Sequence, residues 1–104
     1  MPYFIALLAP RDTGEPSEAL RAEHERFVEE MIASRVVLLG GGFTEAIEGA
    51  SAAYVLRARS ATEAQSWVAR DPLVRSGAFT ARLVGWRLVA IDPGAAEAED
   101  LVRR

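Results

Sequence analysis

Four short apolar runs and two amphipathic stretches are all that this chain offers for building a core, and their order restricts the fold severely. Residues 2–9 read Pro-Tyr-Phe-Ile-Ala-Leu-Leu-Ala, and Pro10 follows. A run this short, aromatic and aliphatic predicts a strand, and its lack of alternation predicts burial on both faces. Residues 36–43 predict a second strand, in which Gly40, Gly41 and Gly42 leave room for a bulge or a close backbone approach. Residues 52–59 and 80–91 predict two more, the last stopped by Asp92-Pro93-Gly94. Residues 11–16 and 44–51 are expected to be a loop and a turn.

The amphipathic stretches lie after the first and third runs. Residues 17–34 predict a helix, with Ser17 as N-cap and Glu18 in the first turn, where the helix dipole favours an anion. At about 100° per residue, Leu20, His24, Phe27, Val28 and Met31 share one stripe. Ser60 and Glu63 have capping-box spacing, so a second helix should start there, with Ala61, Ala64 and Val68 inward and Trp67 beside them. It should end near Arg70, because Pro72 disfavours helical geometry at Asp71. Asp71-Pro72 then opens a short helical turn over residues 73–76, closed by Gly77. The order is β-α-β-β-α-β. Right-handed crossovers turn this into an antiparallel sheet with both helices on one face, a ferredoxin-like α+β sandwich. Two helices cover only one face, yet the strands are apolar on both. A second copy is the simplest cover for the other, so a homodimer packed through the sheet face is expected.

Composition narrows the function. The 104 residues suit a single domain, expected over residues 1–92, with residues 93–104 as a tail in which residues 95–104 could form a frayed helix. With 12 basic and 15 acidic residues and no basic run, the chain is a poor match for nucleic acid. No cysteine is present, which excludes disulfides, thiolate metal sites and cysteine nucleophiles. The longest apolar run, residues 4–9, is too short to span a bilayer and lacks the flanks of a signal peptide, so no membrane partner and a cytoplasmic location are expected. A lone histidine leaves a transition-metal site short of ligands, the glycine run is not a phosphate loop, and no cofactor is expected. The serines have no nucleophile-elbow context. Tyr3 and Tyr54 could donate a hydrogen bond in a cleft but read more naturally as core or interface rings. Arg57, Arg59 and Arg87 could bind an anionic substrate, although solvated strand-edge charges are the commoner arrangement.

His24 is the only histidine. Its place on an apolar stripe suggests, by itself, a core residue satisfied by a backbone carbonyl. The other reading is a general acid or base, since imidazole titrates near neutrality. Topology favours the second. The first helix descends from the end where the first strand finishes, and His24 lies roughly 10 Å down it. The second helix rises to that same end, at Arg70-Asp71, and if it ran one residue further Asp71 would fall beside Ala64 and Val68 on its inner side. The lone histidine and this aspartate therefore meet at one end of one cleft. Gly41, Gly42 and Phe43 finish there too, where missing side chains leave room for a small-molecule ligand.

These segments also resemble a known family. The resemblance rests on Tyr3-Phe4 opening an apolar strand, His24, Val37-Leu38-Leu39-Gly40-Gly41-Gly42, the stretch from Trp67 to Gly77 with its Asp-Pro-x-Val-x-x-Gly element, and Trp86-Arg87-Leu88-Val89. Together they are similar to the YciI-like (YCII-related) proteins over residues 3–91. The resemblance implies a dimeric α+β barrel with a histidine–aspartate pair as the active site, roles that carry onto His24 and Asp71. It also implies a scaffold shared with a dehydrochlorinase of a chlorinated hydroxyquinol. Gly40-Gly41-Gly42 departs from the Ala-Gly-Pro frequent in that family. The expected activity is cofactor-independent proton transfer on a small molecule, of lyase, isomerase or dehydrohalogenase type. The alternative is a non-catalytic dimeric module for metabolite binding or association.

Overall fold

A computed structural model describes residues 2–12, 14–92 and 94. The elements run β1 (Tyr3–Pro10), α1 (Glu18–Ala33), β2 (Val37–Ile47), β3 (Ala50–Arg57), α2 (Ala61–Val68), α3 (Pro72–Arg75) and β4 (Phe79–Trp86). The described strands form a four-stranded sheet in the order β2-β3-β1-β4, antiparallel throughout. This is the α+β ferredoxin-like arrangement that the β-α-β-β-α-β order demands. Of the tail expected over residues 93–104 only Gly94 is described, and the frayed helix expected over residues 95–104 lies outside the described residues.

Local chemistry sets the helix ends. The Ser17 hydroxyl accepts from the Leu20 amide at 3.1 Å, and the Ser60 hydroxyl accepts from the Glu63 amide at 3.1 Å. Glu63 reaches back to the Arg59 amide at 3.3 Å and to its Nε at 2.9 Å. These bonds, the backbone one foremost, hold the Glu63 carboxyl below its ordinary range. At the other end of α1, the Val36 amide donates to Met31 and the Arg35 amide to Ile32, both at 2.9 Å. This is a Schellman closure, and it needs a left-handed residue in the position usually given to glycine. Arg35 takes it, at φ 63°.

Three expectations about boundaries are corrected. Residues 44–51 are not simply a turn: β2 continues to Ile47, and Glu48 (φ 49°) and Gly49 (φ 84°) make a two-residue hairpin turn, with Ile47 paired to Ala50. Such turns need positive φ at both central residues, and a Glu-Gly pair supplies it in place of the commoner Asn-Gly. The last strand ends at Trp86 instead of Ile91. Trp86 lies opposite Tyr3, where β1 begins, so residues beyond it have no ladder to join. Finally, α2 ends at Val68, and the amides of Arg70 and Asp71 bond three residues back, a tightened exit.

The core lies between sheet and helices. Ala6 and Leu8 of β1, Tyr54 and Leu56 of β3, Ala64 and Val68 of α2 and Leu73 of α3 are all buried. The stripe of α1 packs against them with Leu20, Phe27, Val28 and Met31, each only partly covered. On the opposite face of the sheet, Leu39, Val55, Ile5 and Val84 form one row across the strands. Leu39 is 60 % exposed and Trp86, further along, 45 %. Among the described residues, no helix is long and apolar enough to cross a membrane.

Arg35→Gly should stabilise the fold. An L residue in the left-handed region costs roughly 1 kcal/mol, which glycine does not incur. The urea midpoint should rise with an unchanged slope, and an unaltered or lower midpoint would contradict this account of the helix end.

Candidate active site

Asp71 is the N-cap of α3, and its Oδ1 accepts from the Leu73 amide at 2.9 Å. The sharp exit from α2 and the fixed φ of Pro72 put this carboxylate beneath α1, where its side chain is fully buried. A buried carboxylate is tolerable only when donors replace its lost water. Two further elements supply them. His24 comes down from α1 with Nδ1 at 2.9 Å from Oδ1 and 3.0 Å from Oδ2. Tyr54 comes up from β3 and donates its hydroxyl to Oδ2 at 3.1 Å.

Facing an ionised carboxylate, which only accepts, Nδ1 would be the nitrogen that carries the hydrogen, with Nε2 left as the acceptor. The Tyr54 hydroxyl is pushed far above its ordinary acidity range by burial first, then by the Asp71 charge and their hydrogen bond. It therefore stays a neutral donor.

A cavity of about 990 Å³ opens beside the pair. His24, Tyr54, Gly40, Gly41, Gly42 and Phe43 are in its wall. The His24 side chain is 17 % exposed while Asp71 is sealed behind it, so the imidazole is the part of the pair that a ligand can meet. The Arg21–Glu15 ion pair at the rim, 3.1 Å long, is too solvated to add much stability.

The structure thus brings together His24 and Asp71, and places Gly41, Gly42 and Phe43 on the same cavity. Arg57, Arg59 and Arg87 do not line it. Arg59 pairs with Glu63 instead. Among the described residues, no group of histidine, cysteine or carboxylate side chains is arranged to hold a metal. Tyr54 is the residue that sequence reasoning undervalued. It is a core ring, 3 % exposed, and a hydroxyl donor at once. Its one signal in the sequence was a polar tip within the otherwise apolar stretch 52–56.

Comparisons with known proteins follow this geometry. A family model for the YCII-related domain matches residues 1–86. Among solved structures, the chain is similar to 5-chloro-2-hydroxyhydroquinone dehydrochlorinase (TftG) from Burkholderia phenoliruptrix AC1100, in complex with 2,5-dihydroxybenzoquinone. The TM-score is 0.60 at 21% identity, over 84% of this chain and 95% of that one. It is also similar to MtbAldR, with a TM-score of 0.56 at 10% identity, over 88% of this chain and 57% of that one. Identities this low speak for the fold. A search of curated proteins finds no match. The family match spans every strand and helix described above, and the chain belongs to the YCII-related family.

Proposed function

We propose that the protein is a small, cofactor-independent enzyme in which His24 moves a proton to and from a small molecule in the cavity. The carrying observation is the imidazole held by Asp71 at 2.9 and 3.0 Å in a residue that lines a cavity of about 990 Å³. Nε2 takes a proton from a substrate O–H or acidic C–H. The electron pair left behind shifts a double bond or expels a leaving group, and the proton then passes to the product or to water. Asp71 keeps Nδ1 protonated and balances the imidazolium charge while the proton is held. Gly41, Gly42 and Phe43 shape the wall against which the substrate lies. The dehydrochlorinase named above supports elimination from a hydroxylated ring as the first chemistry to try.

The second part of the proposal is a homodimer. Leu39, Ile5 and Val84, with Trp86 beyond them, make an apolar surface around the buried Val55 on the face away from α1 and α2. Burying it against the same row of another copy removes apolar area from water without a new partner.

Chloride release from chlorinated hydroxyquinols tests the first part. His24→Ala should lower the rate roughly a hundredfold to ten-thousandfold, the usual share of general acid–base catalysis. Asp71→Asn should also lose rate while staying folded, because asparagine caps a helix as well as aspartate does. Full activity in His24→Ala would sink the reading. An imidazole whose NMR signals ignore every ligand offered would instead favour the non-catalytic module, with His24 as a buried hydrogen bonder. Light scattering at micromolar concentration should give twice the monomer mass, and Val84→Glu should shift it toward one copy. A wild-type monomer would remove the dimer.

A further inference from the structure

Oδ1 of Asp71 has a permanent donor in the backbone amide of Leu73 at 2.9 Å. Among the described residues Oδ2 has no backbone donor, and the Tyr54 hydroxyl donates to it at 3.1 Å. The imidazole N–H sits between the two oxygens, at nearly equal distances. The terminal torsion of an aspartate is broad, so nothing covalent fixes the plane of its carboxylate. Donors at opposite ends fix it.

We propose that Tyr54 is the positioning residue of the His24–Asp71 pair, its hydroxyl pinning Oδ2 so that the carboxylate plane, and with it the imidazole, keeps one orientation toward the cavity. This rests on the reading of His24 as the proton carrier. Without the hydroxyl, the imidazole would be the sole donor to Oδ2. The carboxylate would swing about its Leu73 bond, and the ring would follow. Nε2 would then wander in the cavity, and displacements of about 1 Å are enough to cost rate.

Two features of the fold fit this role and not mere packing. A phenylalanine would fill the same core without burying a hydroxyl, a group that is costly to bury unless bonded. The strand opposite also makes way for this side chain. Gly40 pairs with Tyr54, and a Cβ at position 40 would stand 2.9 Å from the Tyr54 Cβ and 3.4 Å from the Ala53 carbonyl. Gly40 therefore allows the approach of β2 that backs the tyrosine.

The single histidine makes the test clean, because the ¹⁵N-labelled protein shows one imidazole. Its nitrogen shifts and the solvent exchange of Nδ1–H are compared in wild type, Tyr54→Phe and Gly40→Ala, with thermal melting as the check on folding. The wild-type ring should be protonated at Nδ1 with Nε2 bare; the reverse tautomer would overturn the proton-carrier reading itself. In folded Tyr54→Phe, Nδ1–H should exchange roughly tenfold faster, the scale of one lost hydrogen bond to a charged group, and the Nε2 shift should move. Unchanged shifts and exchange would make Tyr54 a packing residue and overturn the proposal alone. Gly40→Ala, which displaces the ring without touching its hydroxyl, should change in the same direction. It decides the matter by the same criteria if Tyr54→Phe does not fold.

Discussion

The buried carboxylate of Asp71 is the constraint around which this small fold is arranged. Its charge loses water entirely, and each replacement donor comes from a different part of the chain: the Leu73 amide from α3, the imidazole from α1 and the phenol from β3. Removing one member of such a buried pair typically costs several kcal/mol, because the other is left unpaired. The cluster thus ties α1 to the sheet at a place where packing is thin. α1 has no fully buried residue of its own, and its apolar stripe is only partly covered.

Much of this was legible in the residues. The strand and helix order came from apolar runs and caps, and Ser17, Ser60 and Asp71 cap where their spacing says they should. The His24–Asp71 meeting followed from topology, since two neighbouring helices running in opposite directions bring the start of one beside the end of the other. What sequence patterns missed was decided by pairing between strands. The end of β4 depends on where β1 begins, and no feature of residues 87–91 reveals that. The hairpin at Glu48-Gly49 lacked the usual turn pair. Tyr54 was ambiguous because an aromatic residue on an apolar strand satisfies a core whether or not its hydroxyl is used.

The two faces of the sheet divide the labour. One face carries the helices, the buried carboxylate and the cavity, whose wall includes Gly40, Gly41 and Gly42. The other carries large apolar side chains, among them the exposed Leu39 and Trp86, and lies away from α1 and α2. Strand alternation makes this possible: Tyr54 and Val55 are neighbours in sequence, yet Tyr54 reaches Asp71 while Val55 points to the opposite face, in the row with Leu39, Ile5 and Val84.

Asp71 is both a helix cap and a counter-charge, and those duties are separable in evolution even though one side chain performs them. A lineage that drifted to asparagine there would keep its turn, its cavity and its outline while losing the anion behind the ring. Resemblance of shape can therefore outlast chemistry in scaffolds of this kind, and the identity of a single capping residue is a sharper guide to a living active site than the contour that surrounds it.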